Sequence, residues 1–296
     1  MCKAIDKEMY IYYIKLISKT KKEYTMNIGN IASINISEKK GTIKKPVDKV
    51  NVDAKGIIND SHYDTPYRYI SFLSAEDIKE FEQKYGRQIS YGEFAENITT
   101  QNIDLSQLKL LDKLIINNII FEITQIGKKC HGEKCEIFKT TGDCIMPKKG
   151  LFARVIGSGE IKKGDQIIVE KKKYRIASIT LSNRAFNGIY EDLSGNKIKN
   201  YIDEFVCQQN ITSYYEYSLI NDDPYKLEKK LNHYVENDYD VIFTTGGTGI
   251  GMHDITYEVV KNIIDKEIPG IMDYIRIKSA EQNINALISR TISGVK

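Results

Sequence analysis

A short glycine-rich segment near the end of the chain has the composition of a phosphate-binding loop. Residues 245–251 read Thr-Gly-Gly-Thr-Gly-Ile-Gly, and Asp254 follows three positions later. Glycine turns let backbone N–H groups approach phosphate oxygens, and a following helix adds the positive end of its dipole. The spacing fits neither the dinucleotide-binding fingerprint nor the Walker loop. A turn needed only for strand–helix packing remains the alternative. The candidate binding residues are Gly246, Gly247, Thr248 and Gly249.

Two further polar segments, Ser182–Arg184 and Asn221–Asp223, each follow a strand-like stretch in the same half of the chain. Ligands of an open parallel sheet bind at the carboxyl ends of its strands, so we expect both segments beside the glycine loop. Carboxylates at Asp222 and Asp254 would suit Mg²⁺, and Arg184 could hold an anionic group in a bidentate manner. Acidic residues ahead of a helix also occur simply as favourable N-terminal charges, and that interpretation stays open.

A second group of reactive residue types lies near the middle of the chain. Cys130 and His131 are adjacent, Cys135 and Cys144 follow, and two lysines precede the group. Cations beside a thiol favour the thiolate, which is the nucleophilic and metal-ligating form. Three interpretations are open. They are a Zn²⁺ site, which the lack of a C-x-x-C pair disfavours, small buried hydrophobes, and a reactive or metal-ligating Cys130.

The elements that must position the glycine loop are predicted as alternating strands and helices. Strands are expected at 174–181, 211–220 and 241–245, each followed by an amphipathic helix. Pro224 suits the first turn of the second helix, and Thr256 is the expected N-cap of the third, with Glu258 in its first turn. This order predicts a parallel sheet with right-handed crossovers.

The first half has a different pattern of short alternating segments separated by glycine turns. Strands are predicted at 31–36, 114–119, 120–126, 151–156 and 166–169. One helix interrupts them, with Ser74 as N-cap, an apolar stripe at Ile78, Phe81 and Tyr85, and Gly86 at its end. A mostly antiparallel barrel or sandwich with a small helical insertion is the natural interpretation.

Length and composition favour two domains in a soluble protein. The chain has 296 residues, of which 41% are hydrophobic and 28% are charged. The pattern changes near residue 172, so we predict an extension over 1–26, a β domain over 27–172 and an α/β domain over 173–296. Met26 is an alternative start.

Charge and cysteine content exclude some classes of partner. The net charge of +3 is too small to indicate nucleic acid or an anionic membrane as partner. No apolar run approaches a membrane span, and the N-terminus is a poor signal peptide. The five cysteines, an odd number, favour reduced thiols. We therefore expect a cytoplasmic protein.

Separated blocks of the second half, over about 174–295, resemble the molybdopterin adenylyltransferase family, which includes MogA, MoaB and the gephyrin G domain. The blocks are Ser182–Ala185 with Gly188–Tyr190 and Asp192, Phe243–Gly251, Asp254–Thr256, Glu267–Gly270 and Leu287–Arg290. The resemblance implies a three-layer α/β domain that binds molybdopterin and Mg·ATP and transfers AMP to the terminal phosphate of the pterin. It places Asp222 and Asp254 at the family's functional aspartates, the glycine loop at the phosphate and Arg184 close by.

This half departs from the family pattern in two respects. Asn183 stands where the family usually has Asp, which removes a charge near the loop. Relatives continue beyond the position of Arg290 with another strand, a loop of the substrate pocket and further helix, whereas only six residues follow here. We therefore expect an incomplete pocket and an unpaired sheet edge.

Blocks of the first half, over about 28–170, resemble the MOSC domain, which is related to the C-terminal part of molybdenum-cofactor sulfurases. The blocks are Ser33–Ser37, Gly56 with Asp60 and His62, Ile70–Ser71, Phe94–Thr99, Thr124–His131 and Gly150–Arg154. The resemblance implies a β-barrel in which Cys130 carries sulfur or ligates molybdenum. His62 would contact the ligand or be structural, and Arg154 would bind the cofactor phosphate or be a strand-edge surface residue.

Together the two halves favour a molybdenum-cofactor biosynthesis protein. Its second half would bind and adenylylate molybdopterin, and its first half would receive, modify or hold the cofactor. A non-catalytic cofactor carrier and a MOSC-type molybdenum reductase are the alternatives. The family resemblance also implies a homotrimer, and other cofactor-biosynthesis proteins or molybdoenzymes are expected partners.

Overall fold

In a computed structural model the protein is described over residues 28–129, 132, 138–139 and 142–296. The chain divides into two compact units, Met1–Lys171 and Lys172–Lys296. None of the helices within the described ranges has both the length and the apolar character needed to cross a membrane.

The first unit is built mainly of strands. Its described elements are β1 (Ile28–Ile36), β2 (Lys45–Val47), β3 (Lys49–Asp53), β4 (Gly56–Ile57), β5 (Ile70–Ser74), α1 (Ala75–Tyr85), β6 (Ile98–Gln101), a 3₁₀ turn (Leu105–Gln107), β7 (Lys113–Ile116), β8 (Ile119–Ile126), α2 (Met146–Lys149), β9 (Leu151–Ile156), β10 (Gly159–Lys162) and β11 (Gln166–Glu170).

Seven of these described strands close into a barrel, as the sequence predicted. Their order is β11-β7-β8-β9-β5-β6-β1, and β1 pairs back with β11 to complete the ring, while β2 adds to the free part of β1. Neighbours in the ring are antiparallel except β5 and β6, which are parallel. A barrel leaves few unpaired backbone groups because each of its strands has two neighbours.

Alternation along each strand fills the barrel with apolar side chains. On β9, Ala153 and Val155 are buried, while Arg154 between them is exposed. Phe72 and Phe121 meet edge to face in the interior, with ring centroids 5.6 Å apart. The predicted strand 114–119 was wrong at its end, because Asn117 has φ of 55° and forms the turn between β7 and β8. Ile119 therefore belongs to the next strand.

Helix α1 begins and ends where the sequence predicted. The Ser74 hydroxyl accepts a 3.0 Å hydrogen bond from the N–H of Asp77, and Gly86 ends the helix with φ of 64°. Ile78 and Phe81 are its buried residues.

The second unit alternates strands and helices. Its elements are β12 (Lys173–Leu181), α3 (Asn183–Phe186), α4 (Leu193–Gln208), β13 (Thr212–Ile220), α5 (Pro224–Glu236), β14 (Val241–Thr245), α6 (Thr256–Ile263), β15 (Lys266–Glu267), α7 (Pro269–Ala280), a 3₁₀ turn (Ile284–Ile288) and β16 (Gly294–Val295).

The sheet of this unit is parallel, as predicted, with β12 between β13 and β14. Ala177 and Ile179 on β12 pack against Leu227, Leu231 and Tyr234 of α5, which forms the core on one face. The predicted strand 241–245 agrees with β14, and Pro224 opens α5 as expected.

The predicted cap of α6 was wrong. Thr256 is the first residue of the helix rather than its N-cap, and Ile255 stands at the cap position without a capping side chain. The Thr256 hydroxyl instead donates a 2.8 Å hydrogen bond to the carbonyl of Gly246. The Thr256 hydroxyl is therefore used for a contact with the preceding loop and not for capping its own helix.

We expect Ser74→Ala to lower the free energy of unfolding by about 1 kcal/mol, because an N–H in the first turn of α1 loses its acceptor. Urea denaturation followed by circular dichroism measures the change. Ser158→Ala, at an exposed serine of the same unit whose hydroxyl bonds to none of the described residues, is the control and should shift stability by less than about 0.5 kcal/mol. Equal stability of the two variants would show that the cap contributes nothing.

Candidate functional site

The three polar segments of the second unit leave the same edge of the sheet. Leu181 pairs with Ile220, and Thr180 pairs with Thr245, so the carboxyl ends of the three parallel strands lie side by side. Gly246 follows β14 with φ of 93°, and a Cβ atom there would lie 2.0 Å from the carbonyl oxygen of Leu181. Only glycine permits this close start of the loop.

The carbonyl groups of the glycine loop are held by the protein. The Gly246 carbonyl accepts from the Thr256 hydroxyl at 2.8 Å, and the Gly247 carbonyl accepts from the Thr256 N–H at 3.0 Å. The Thr248 carbonyl accepts from the Arg290 N–H, and the Gly249 carbonyl from Arg290 Nε, both at 2.7 Å. Four successive peptide units are therefore fixed through their oxygens.

The amide groups of the same four peptide units point the other way. In a planar trans peptide the N–H is directed opposite to the C=O. Consistent with this, the N–H groups of Gly247, Thr248, Gly249 and Ile250 donate to no acceptor in the described part of the chain. Successive unpaired N–H groups in a turn form an anion-binding concavity. The loop thus has the geometry of a phosphate site.

Asp254 fixes the end of the loop. Its Oδ2 accepts a 2.8 Å hydrogen bond from the Gly251 N–H, and a Cβ on Gly249 would lie 2.6 Å from the same oxygen. Its Oδ1 accepts no hydrogen bond from the residues that the structure describes. One carboxylate oxygen therefore shapes the loop while the other is available to a ligand.

Arg290 is a site residue that the sequence analysis missed. Besides its bonds to the loop, its Nη2 donates to the Asp254 carbonyl at 2.5 Å, and its Nη1 pairs with Glu258. The neighbouring Ser289 hydroxyl donates to Thr248 Oγ1 at 3.0 Å. The family resemblance includes Arg290 in one of its blocks but implies no role for it. The usable signal was its being the single charged residue between Glu281 and Lys296.

The three polar segments at the carboxyl edge of the sheet (182–184, 221–223 and 245–254) are called the rim below. Asp222 lies in a different part of the rim from the glycine loop, and it pairs reciprocally with Asn183. The Asn183 N–H donates to Asp222 Oδ2 at 3.2 Å, and the Asp222 N–H donates to Asn183 Oδ1 at 3.1 Å. The structure therefore joins the first two polar segments directly. As at Asp254, the second carboxylate oxygen accepts no hydrogen bond within the described ranges.

The donor set at the rim suits Mg²⁺ in its chemistry. Asp222 and Asp254 each offer one carboxylate oxygen at half-buried positions, and Mg²⁺ takes one or two carboxylates together with phosphate oxygens and water. The described residues contain no group of three or more His, Cys, Asp or Glu side chains arranged for a metal ion. An ion here would depend on substrate phosphate for further ligands.

The structure places Arg184 differently from the other rim residues. It is exposed on the short helix α3, with its guanidinium 5.0 Å from the ring centroid of Tyr190. The Tyr190 hydroxyl in turn bonds to Ser182 at 2.9 Å. The observed contacts of Arg184 are thus with its own loop rather than with the glycine segment.

A shallow cavity of about 390 Å³ adjoins the glycine loop and α6. Its lining combines apolar, acidic and basic side chains, namely Ile250, Gly251, Met252, Asp254, Ile255, Glu258 and Arg290. Asp254 and Arg290 therefore line this cavity and also hold the glycine loop in place.

In the first unit, Cys130, His131 and Cys135 lie outside the described residues. The reactive-thiol and Zn²⁺ hypotheses rest on these three residues and therefore stay predictions. Cys144 is buried, within the apolar cluster that includes Phe81 and Met146. Its position is that of a small hydrophobe.

His62 belongs to a polar cluster that includes Lys44, a residue the sequence analysis missed. Lys44 Nζ lies 2.5 Å from Asp60 Oδ1 and 3.3 Å from His62 Nδ1. Burial lowers the pKa of Lys44, and the charges of Asp60 and Glu96 oppose that effect. Burial would raise the pKa of Asp60, but hydrogen bonds from His62 and the charge of Lys44 hold it well below its usual range.

Glu96 lies behind this cluster and is fully buried. Its Oε1 accepts from the Gly92 N–H at 2.6 Å and from Thr99 Oγ1 at 3.0 Å. Its Oε2 is buried and has no hydrogen-bond partner among the described residues. Burial raises the pKa of Glu96 to about 7, although its hydrogen bonds act in the opposite direction.

Arg154 is engaged in an ion pair on the barrel surface. Its Nε and Nη2 lie 2.8 and 2.7 Å from Glu122 Oε1, and the two residues are cross-strand partners on β8 and β9. Arg154 was predicted either to bind the cofactor phosphate or to be a strand-edge surface residue, and this ion pair agrees with the second role.

Comparison with known families matches each half of the chain separately. Residues 59–168 match the MOSC domain, and residues 177–294 match a probable molybdopterin binding domain. The MOSC match includes Asp60 and His62, the partners of Lys44. The match to the molybdopterin binding domain includes all three polar segments at the edge of the sheet.

Curated relatives match the second half. A molybdopterin adenylyltransferase of Helicobacter pylori is 34% identical over 122 residues, which cover 41% of this chain and 68% of the relative. A molybdenum cofactor biosynthesis protein B of Staphylococcus aureus is 38% identical over 80 residues, covering 26% of this chain and 48% of the relative. The chain thus spans about half of the latter protein.

Solved structures resemble parts of the chain. The molybdopterin biosynthesis enzyme MoaB of Thermus thermophilus is 27% identical, with a TM-score of 0.37 over 42% of this chain and 75% of that one. The YuaD protein of Bacillus subtilis is 20% identical, with a TM-score of 0.42 over 48% of this chain and 95% of that one.

We expect Arg290→Ala to loosen the glycine loop, because the carbonyls of Gly249 and Asp254 and the carboxylate of Glu258 lose their side-chain donor. The free energy of unfolding should fall by about 1–3 kcal/mol, and amide hydrogen exchange over 246–254 should accelerate. Arg290→Lys should restore less than half of the loss, since an ammonium group cannot reproduce the planar fork of donors.

Arg184→Ala is the matched control for this measurement, because that arginine is exposed and stacks on Tyr190. It should leave exchange in the glycine loop unchanged. Unchanged exchange in the Arg290→Ala protein would contradict the assignment.

Proposed function

Because this chain belongs to the molybdopterin adenylyltransferase family and carries a MOSC domain ahead of the family domain, we propose that it adenylylates molybdopterin with Mg·ATP during molybdenum cofactor biosynthesis. The glycine loop would hold phosphate oxygens, and the MOSC domain would receive or modify the cofactor.

The observation that carries the proposal is the orientation of four peptide units in the glycine loop. Their carbonyls are fixed by Thr256 and Arg290, and their N–H groups donate to no described acceptor. Donors that are fixed before the ligand arrives need no reorganisation when charge develops on a phosphate. The loop is thereby suited to phosphate rather than to strand–helix packing alone.

The reaction requires little covalent chemistry from the protein. An oxygen of the pterin's terminal phosphate attacks the α-phosphorus of ATP, a new P–O bond forms, and the bond to the β-phosphate breaks. Pyrophosphate leaves with the electron pair. The protein's task is to bring two anionic groups together in line and to offset their repulsion.

Asp222 and Asp254 are the residues proposed to hold Mg²⁺, through the carboxylate oxygens that the loops leave unused. The ion would neutralise phosphate charge when bound. Asp254 also keeps the loop in shape through Gly251, and Asn183 keeps Asp222 at the rim. Arg184, which is exposed on α3, would contact an anionic part of the substrate after leaving Tyr190.

In the MOSC domain we propose that Lys44, His62 and Lys128 form the cationic wall that receives an anionic group of the cofactor. Lys128 lies close enough for its charge to act on Lys44, and it stands two residues before Cys130. Cys130 remains the proposed carrier of sulfur or ligand of molybdenum, and Arg154 would reach a cofactor phosphate only by leaving Glu122.

A cofactor carrier without catalysis is the second candidate. It is favoured by the neutral Asn183 beside Asp222, because one carboxylate fewer at the rim weakens the case for a tightly held Mg²⁺. A carrier would use the same loop for binding and would not consume ATP. A homotrimer, as the family resemblance implies, is part of the proposal in either case.

Incubation of the full chain with molybdopterin, Mg²⁺ and ATP should yield adenylylated molybdopterin detectable by mass spectrometry. Asp222→Ala and Asp254→Ala should each lower the rate on the order of 100-fold, since charge stabilisation at a transferring group is worth that much. Asp203→Ala is the control, because Asp203 pairs with Lys199 on the exposed side of α4.

The two candidates give different outcomes in this assay. Bound molybdopterin without product in the unsubstituted protein would favour the carrier. Product formation that survives both aspartate substitutions would contradict the proposed roles of Asp222 and Asp254.

Asn183→Asp tests the missing charge. An aspartate at this position can still accept the hydrogen bond from the Asp222 N–H and adds a second carboxylate nearby. We expect half-maximal product formation at a Mg²⁺ concentration several-fold lower, measured by titrating Mg²⁺ at saturating ATP. An unchanged or higher requirement would show that Asn183 is not near the ion.

A further inference from the structure

Three ionisable side chains lie together in the interior of the first unit. The side chains of Lys44 and Asp60 are 0% and 1% exposed, and Glu96 is 0% exposed. His62 is 32% exposed and connects the cluster to the surface, and Lys128 acts on it from the loop before Cys130. The proposed reaction at the glycine loop uses none of these groups.

The charges of the cluster do not balance if every group is ionised in its ordinary form. Lys44 and Asp60 form one buried pair, which leaves Glu96 as a buried charge without a dedicated partner. An uncompensated charge in the interior is far more costly than a neutral polar group. The neutral acid is therefore the form that this environment favours.

The hydrogen bonds of Glu96 agree with a proton on Oε2. The hydrogen bonds from the Gly92 N–H and from Thr99 Oγ1 both go to Oε1. Oε2 has no hydrogen-bond partner among the described residues, and a neutral hydroxyl left unpaired in the interior costs less than a charged oxygen left unpaired. An ionised carboxylate would leave that oxygen desolvated and unpaired.

We propose that Glu96 sets the charge of an oxyanion site on the MOSC domain, carrying a proton so that Lys44, His62 and Lys128 keep a net positive charge toward the ligand. Glu96 acts through Lys44 and is a positioning residue rather than a contact of the ligand. The inference rests on the proposed cofactor-handling role of this domain, because the cofactor presents a phosphate.

The charge count shows what the proton changes. With Glu96 neutral, the charges of Lys44, Lys128 and Asp60 sum to +1. Ionisation of Glu96 would bring the same sum to zero and remove the attraction for an anion. Glu93, on the same loop, does not enter the count, since it is paired with Arg87.

Anion binding should therefore be coupled to proton uptake near neutral pH. Since burial raises the pKa of Glu96 to about 7, the acid is mostly protonated at pH 6 and mostly ionised at pH 8. If only the protonated form binds, linkage predicts a roughly tenfold loss of affinity between these two pH values. His62 contacts both Lys44 and Asp60 and therefore needs its own control.

The test is calorimetric titration of the full chain with sulfate and with molybdate, dianions that keep their charge between pH 6 and pH 8. The unsubstituted protein should lose affinity about tenfold more than Glu96→Gln over this interval. Glu96→Gln keeps the shape of the neutral acid and should bind at pH 8 about as well as the unsubstituted protein binds at pH 6.

Two control variants separate the contributions. His62→Asn should retain the part of the pH dependence that belongs to Glu96. Glu160→Gln, at an exposed glutamate paired with Lys49, should behave as the unsubstituted protein does. Equal pH dependence in the unsubstituted and Glu96→Gln proteins would overturn the proposal, and so would failure of both dianions to bind.

A direct measurement of the proton distinguishes this proposal from the function on which it rests. Infrared difference spectra between pH 6 and pH 8 should show a protonated-carboxyl band that is absent from Glu96→Gln. Such a band together with pH-coupled dianion binding supports the proposal even if no adenylylated product forms. Its absence at pH 6 would overturn the proposal even if product does form.

Discussion

The planarity of the peptide bond is the constraint on which the second unit depends. Because N–H and C=O point in opposite directions, a protein that holds the carbonyls of Gly246–Gly249 necessarily turns the following amides away from itself. The parallel sheet brings β14 to the correct edge, Thr256 holds the first two carbonyls, and Arg290 holds the next two. Glycine is needed at the start because β12 lies too close for any side chain. The loop is thus determined by elements before and after it.

The anion sites proposed for the two units rest on different physical means of attraction. The glycine loop uses peptide dipoles, which are neutral overall and carry no cost of burying a net charge. The MOSC domain uses formal charges, and a buried Lys44 is tolerable only because Asp60 compensates it. Formal charges act more strongly but can be altered by one proton. Dipoles cannot titrate, so the loop should bind phosphate with no pH dependence of its own.

The sequence predicted the parts of the structure that depend on local pattern. The cap at Ser74, five of the seven barrel strands, the parallel sheet and the loop after β14 follow from residue spacing within one element or between neighbours, whereas β5 and β6 were not predicted. Arg290 and Lys44 could not be predicted in this way, because each matters through partners 16 or more positions away. Thr256, predicted to cap its own helix, instead bonds to loop carbonyls nine and ten positions earlier. Glycine patterns locate a phosphate loop, but they do not reveal which residues hold its carbonyls.

The dual use of the rim aspartates affects how their chemistry can be understood. Oδ2 of Asp254 accepts a hydrogen bond from the Gly251 amide, so removing this carboxylate disturbs the loop as well as any bound ion. Oδ2 of Asp222 accepts a hydrogen bond from the Asn183 N–H, which lies outside the glycine loop. Removing the Asp222 carboxylate therefore leaves the four oriented peptide units in place. A defect at Asp222 with phosphate binding intact would therefore leave the glycine loop out of the explanation, whereas a defect at Asp254 combines the loss of an ion with a disturbed loop. In the proposed reaction, Asp222 is thus the better residue for separating catalysis from binding.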